Sequence, residues 1–245
     1  MPQPRYKSRS RLYGYFPAGI KWLLISNTVV FIVWTLGPNG FQQDVLTNLA
    51  LNKVLSYKLV WQLFTYQFLH GSVFHLVFNM LALWMFGSPL ETDWGTQRFM
   101  RYYLTCGVGA GLCDLTLNLI LGGRAPTIGA SGAIYGVLLA FGVCYPEQTV
   151  LMNFLFPIKA KYMVMIYGAI ALYGSMGTLN SGVSNIAHLG GMAVGFIYLK
   201  SRMPRTQLRL PDFQGAYNQW KLERAKRKFQ VYMKKHGGGQ GPSIN

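Results

Sequence analysis

Gly129-Ala130-Ser131-Gly132-Ala133-Ile134-Tyr135-Gly136 opens an apolar run that continues to about residue 145. A full crossing needs about 20 apolar residues in a helix, so this run is short, and it starts on glycine-rich sequence. A helix that begins part-way down a bilayer, below a water-filled cavity, fits both features. Irregular backbone at membrane depth is tolerated only where protein or water satisfies its polar groups. A second short run, about 186–200, has the same form and follows Gly182-Val183-Ser184-Asn185-Ile186-Ala187-His188. Four further apolar runs fall at about 20–36, 70–87, 99–121 and 160–177. Together they predict an all-α membrane protein built as a six-transmembrane-helix bundle.

Composition agrees with this reading. Apolar residues make up 51% of the 245 and charged residues 12%, against about 25% charged in soluble domains. Mean hydropathy is +0.22. The net charge of +16 lies in the flanks. Beside apolar spans, such flanks hold a chain on the cytoplasmic side of an anionic bilayer rather than marking nucleic-acid binding. Thirteen Lys and Arg residues flank the spans on the side of the termini, counted from Arg5 to Arg209, against three (Lys53, Lys58, Arg124) on the other. The positive-inside rule therefore predicts N-in and C-in.

The chain then divides into a basic cytoplasmic N-terminal segment (1–19), a six-helix core (20–200) and a basic cytoplasmic tail (201–245). In the tail, Trp220, Leu222, Phe229, Val231 and Met233 alternate with Lys and Arg. That pattern reads as an amphipathic helix on the inner leaflet, with a solvated extension as the competing reading. The end from Gly237 to Asn245 reads as disordered. The basic start leads into a span and not to a cleavage site, so no cleaved signal peptide is expected. With no targeting presequence and the minimal number of spans, the expected location is a prokaryotic plasma membrane. Cys106, Cys113 and Cys144 lack metal-ligand spacing and read as small buried side chains.

Polar side chains inside spans are costly and mark candidate sites. Four stand out: His75 and Asn79 in span two, Ser131 opening span four, and His188 near the start of span six. With the predicted topology all four lie at similar depth, near the non-cytoplasmic side. A serine hydroxyl becomes a nucleophile when a neighbouring base takes its proton, and neutral imidazole suits that role near pH 7. His188 would be the base in the attack and the acid towards the leaving amine. Gly129 and its small neighbours allow a sharp turn and close approach of a substrate carbonyl. The Ser131 backbone N–H, at a helix start, can donate to an oxyanion, and His75 and Asn79, spaced i, i+4 on one face, can add donors. Asp114 is the one acidic residue in the spans at this depth, and it reads as an interhelical hydrogen-bonding group. The pair is therefore a dyad and not a triad. His70 reads as a structural brace, and Glu91 and Arg98 as partners of helix ends.

The sequence resembles the rhomboid intramembrane serine proteases. The matching stretches are His70-Gly71-Ser72-Val73-Phe74-His75 with Asn79, Glu91 and Gly95 to Phe99 with Tyr102 and Tyr103, Gly129 to Gly136, and Ala187 to Gly191 followed by Gly195. They cover about residues 20–200 in family order. The resemblance implies Ser131 as nucleophile, His188 as base, and His75 and Asn79 in the oxyanion hole. It implies that Tyr135 stacks on His188 and that Gly191 and Gly195 let span six approach span four. It also implies a partly immersed loop at 37–60, and a gate formed by span five with a cap at 174–186. Trp61-Gln62 departs from the family's frequent Trp-Arg. The expected partners are transmembrane protein substrates and membrane lipids, with no nucleic acid, no cofactor and no metal. The alternative is a non-catalytic rhomboid-like protein that binds and escorts membrane proteins. A metalloprotease is disfavoured because no HExxH occurs. The sequence says nothing of oligomeric state.

Overall fold

A computed structural model describes residues 16–38, 40–52, 59–121, 125–152, 156–176, 184–202 and 221–231. Helices occupy all six predicted intervals. They are α1 (Ala18–Leu36), α4 (Val73–Ala82) running through a π-helical turn at Leu83–Gly87 into α5 (Ser88–Trp94), α6 (Thr96–Leu121), α7 (Ser131–Cys144), α8 (Ala160–Ser175) and α9 (Asn185–Arg202). By length and composition Ala18–Leu36 and Val73–Trp94 could each cross a membrane, and Ser131–Cys144 is a shorter apolar helix. The π turn has a local cause. Pro89 lacks an N–H, and its ring crowds the carbonyl one turn back, so the helix widens just before it.

Residues between the first two predicted spans are folded too: α2 spans Phe41–Leu49, and α3 spans Gln62–Thr65 and runs on as a 3-10 turn at Tyr66–Phe68. Gln62, at the position where the resemblance implies a frequent arginine, is buried. It accepts from the Asn52 N–H at 3.0 Å and donates to the Thr47 carbonyl at 2.9 Å. An uncharged side chain thus braces this loop through backbone groups.

The all-α expectation missed one feature. Between α7 and α8, strands β1 (Thr149–Met152) and β2 (Phe156–Lys159) pair antiparallel, with Thr149 opposite Lys159 and Met152 opposite Phe156. Their Thr, Val, Ile and Phe content favours strand over helix. At the base, Lys159 donates to Glu147 at 2.6 Å and Lys161 donates to its other oxygen. These hydrogen bonds, from Lys159 first and then Lys161, hold the Glu147 carboxyl down at about 2.

α7 is the central element. All of its residues from Gly132 to Val143 are buried except Tyr135 and Leu139, which are partly so, and it packs against α6, α8 and α9. The outer faces of α1, α4 and α8 stay apolar and exposed: Val29, Ile32 and Val33; Phe74, Val77 and Phe78; Met165, Ile166 and Ile170. Water-facing helices carry polar residues on that face, so these surfaces suit lipid. Two tyrosines tie α6 into the bundle. Tyr102 donates to the Gly136 carbonyl at 2.6 Å and Tyr66 to the Gly107 carbonyl at 2.7 Å. Glu91, expected to meet a helix end, accepts from the Gly19 and Ile20 N–H groups at the start of α1. Arg98 instead lies over the Trp94 ring.

By contacts the chain forms two units, Met1–Arg209 and Leu210–Asn245. In the second, residues 221–231 form an exposed helix in which Arg227 approaches Glu223 at 3.8 Å. Most of the basic N-terminal segment, the glycine-rich end and most of the predicted cap (177–183) lie outside the described residues.

Candidate active site

Two helix starts bring Ser131 and His188 together. Ser131 is the first residue of α7 and His188 lies in the first turn of α9. The His188 Nε2 and Ser131 Oγ atoms are 2.8 Å apart, within range for proton transfer. The Tyr135 ring, one turn after Ser131, lies flat against the other side of the pair. Its centroid is 4.1 Å from that of His188, with 4° between the planes. His188 is 8% exposed, and its Nδ1 has no hydrogen-bond partner among the described residues. Among those residues the imidazole is thus oriented by stacking and by Ser131, and no carboxylate reaches it.

The helices can meet this closely because the contact is built from glycine. A methyl group at Gly191 would lie 1.9 Å from the Gly132 carbonyl oxygen, and one at Gly195 would lie 2.5 Å from the Tyr102 hydroxyl. Gly132 and Gly136 lie opposite them, and their own lack of side chains also makes room for α6: a methyl would meet Ala110 Cβ at 2.7 Å and Cys106 Sγ at 2.6 Å. Small residues four apart on both helices let the backbones touch.

His75 and Asn79 face inward from α4, while Phe74 and Phe78 on the same helix face out. Both polar side chains close over Gly129, two residues before Ser131. A Cβ there would meet His75 Nε2 at 2.8 Å and Asn79 Nδ2 at 3.7 Å. Gly129 also has φ +115°, a conformation that penalises any Cβ. Asn79 Nδ2 is buried and without a hydrogen-bond partner among the described residues. The Ser131 N–H belongs to the first helical turn, whose amides have no intrahelical acceptor. The His75 ring and the Asn79 amide thus meet over Gly129, two residues before the start of α7. His70 packs its ring edge on His75 at 5.0 Å, as a brace would.

A family model described as a rhomboid domain matches residues 57–204, which takes in every residue of this site. The chain belongs to the rhomboid family. Rhomboids are integral membrane proteins, and this chain is similar to rhomboids from plants, fungi and bacteria. It is 29% identical to the mitochondrial RHOMBOID-like protein 12 of Arabidopsis thaliana over 193 residues, covering 71% of this chain and 55% of the relative. It is 34% identical to the mitochondrial Rhomboid protein 1 of Saccharomyces cerevisiae over 134 residues, covering 54% and 38%. With the Rhomboid protease GluP of Bacillus subtilis it shares 32% over 171 residues, covering 68% and 32%. The chain thus aligns with about a third to a half of the length of these relatives. Two of the three are mitochondrial, which weighs against the prokaryotic plasma membrane expected from the sequence.

Sequence reasoning missed three residues of this rhomboid site. The Tyr66 carbonyl accepts from the Gly129 N–H at 2.9 Å and so fixes the strained turn before Ser131. Thr127 pairs its backbone with Leu51 in both directions at 3.0 Å. Ser184 caps α9, its Oγ accepting from the Ala187 N–H at 3.1 Å. Only Ser184 had a readable signal: a serine just before an apolar helical run is an N-cap signature.

Proposed function

We propose that this rhomboid is an intramembrane serine endopeptidase that hydrolyses peptide bonds in or near the transmembrane helices of other membrane proteins. The observation that carries the proposal is the 2.8 Å contact between Ser131 Oγ and His188 Nε2 at the start of two close-packed helices. Ser131 Oγ attacks the scissile carbonyl carbon while its proton passes to His188 Nε2. The oxyanion is met by the Ser131 N–H, Asn79 Nδ2 and His75, donors already aimed before charge develops. The imidazolium then protonates the leaving amine as the C–N bond breaks, leaving an acyl group on Ser131. Water, deprotonated by the same imidazole, attacks the ester and releases the acid and the serine. Tyr135 holds the ring in one orientation through both steps.

In this proposal six helices cross the bilayer with both termini cytoplasmic, and the dyad opens towards the non-cytoplasmic side. The test is cleavage of a single-span substrate by the purified chain reconstituted in liposomes. Wild type should cut it, and Ser131→Ala and His188→Ala should each lose all but background. Equal cleavage by Ser131→Ala, or none by wild type, would remove the protease reading in favour of a binding role.

A further inference from the structure

Asp114 lies on α6, fully buried, and the dyad mechanism makes no use of it. Its two carboxylate oxygens accept from hydroxyls on two different segments. Oδ2 accepts from Thr127 Oγ1 at 2.7 Å and Oδ1 from Ser184 Oγ. The two segments are alike in one respect: Thr127 stands four residues before Ser131, and Ser184 stands four residues before His188. Each leads directly into a helix that begins with one half of the dyad.

Resting on the protease reading, we infer that Asp114 is a positioning residue that sets the Ser131–His188 geometry by clamping the starts of α7 and α9 to α6. On the α9 side the argument runs through one proton. A serine hydroxyl has one O–H to give and lone pairs to accept with. Ser184 gives its proton to Asp114, which turns the lone pairs of Oγ towards the helix, where they cap the Ala187 N–H at 3.1 Å. The Ser184 carbonyl receives the His188 N–H at 3.2 Å. His188 is therefore two hydrogen bonds from Asp114: carboxylate to Ser184, and Ser184 to the His188 amide.

On the α7 side, Thr127 is held by three groups at once. Its N–H and carbonyl pair with Leu51 and its hydroxyl with Asp114. Gly129 is then held by the Tyr66 carbonyl, and Ser131 follows with little freedom left. The contact between a neutral serine and a neutral imidazole cannot hold two helix ends in register by itself. A misplacement of about 1 Å in reacting groups can cost on the order of 100-fold in rate. A buried residue that accepts from both approaches adds to the constraint that the Gly132–Gly191 contact supplies, and networks of this kind act as units.

The experiment uses the full chain in liposomes and compares wild type with Asp114→Asn, Ser184→Ala, Ser184→Thr and the Asp114→Asn/Ser184→Ala double variant, with Ser131→Ala as the blank. Asp114→Asn keeps the shape but sets an NH2 against a hydroxyl that needs an acceptor. It should lower kcat about 10- to 100-fold with KM unchanged, because Asp114 does not touch substrate. Ser184→Ala should fall similarly, Ser184→Thr should recover most of the rate, and the double variant should be no worse than the poorer single variant. Amide hydrogen exchange over 184–190 should rise in Asp114→Asn by more than over the other helices, beyond what any fall in the unfolding midpoint would bring. Wild-type kcat in Asp114→Asn, or multiplicative losses in the double variant, would overturn the clamp. If wild type cleaves no better than Ser131→Ala, the protease reading fails instead. The exchange data then still decide the clamp, which unchanged protection over 184–190 in Asp114→Asn would overturn.

Discussion

The Tyr135 and His188 rings are parallel, 4.1 Å between centroids, and Tyr135 also meets the Tyr167 ring edge-on at 6.2 Å. The imidazole is thus part of an aromatic stack that ends on α8. A well-placed aromatic pair contributes about 0.5–1.5 kcal/mol beyond its burial, and 1.4 kcal/mol corresponds to about tenfold in rate. Tyr135→Ala should therefore lower kcat about tenfold, while Tyr135→Phe, which keeps the ring, should stay within about twofold of wild type. Steady-state cleavage rates at saturating substrate check this. Equal losses in Phe and Ala variants would mean that the hydroxyl, not the stack, matters.

Asn79 carries a buried amide whose Nδ2 has no acceptor among the described residues, a state that costs stability when nothing compensates. An oxyanion would supply the acceptor. Asn79→Ala should lower kcat by about 100-fold, the usual size for one such donor, yet leave the unfolding midpoint unchanged or raised. Rate and thermal unfolding are measured on the same preparation. A variant that loses stability and rate together would place Asn79 in packing instead.

The six helices were legible because apolar runs and their flanking charges are long-range averages that single residues do not disturb. Ser131 and His188 were legible because polar groups in such runs are rare. Asp114 shows the limit. Its type and depth were readable, but its partners Thr127 and Ser184 lie in connecting segments 13 and 70 residues away, and no local pattern pairs them. The β-hairpin was missed for a different reason: Thr149–Met152 is apolar and short, and at that length strand and helix look alike. Gln62 shows a third case: its type was readable, but its partners Asn52 and Thr47 lie 10 and 15 residues back in the chain.

Gly191 and Gly168 offer a contrast within neighbouring helices. An alanine methyl at Gly191 would lie 1.9 Å from the Gly132 carbonyl oxygen, whereas at Gly168 the nearest atom is Met192 Cε at 3.4 Å. Gly191→Ala must push α9 off α7, an overpacking cost of about 1–3 kcal/mol, and should also separate the dyad. Gly168→Ala gains the helix propensity of alanine, up to about 1 kcal/mol. Thermal unfolding should move down for the first and be level or up for the second, with cleavage lost only in the first. Activity surviving in Gly191→Ala would show that α7 and α9 can part without harm to the site.

Glu91 closes the other end of the fold. Its Oε1 accepts from the Gly19 N–H at 2.7 Å and the Thr96 hydroxyl at 2.6 Å, and its Oε2 accepts from the Ile20 N–H at 2.8 Å. A carboxylate at a helix start satisfies orphan amides and meets the positive end of the helix dipole. Glu91→Gln turns one acceptor into a donor facing an N–H, and a buried unmatched donor costs about 1–3 kcal/mol. The unfolding midpoint should fall by roughly 2–4 °C for each kcal/mol lost in a chain of this size. The rate per folded molecule should hold, because no part of Glu91 reaches the dyad. Asp93→Asn is the control: its bond with the Tyr145 hydroxyl is exposed, water can replace it, and little should change. A Glu91→Gln chain as stable as wild type would mean that α1 is held by its apolar face alone.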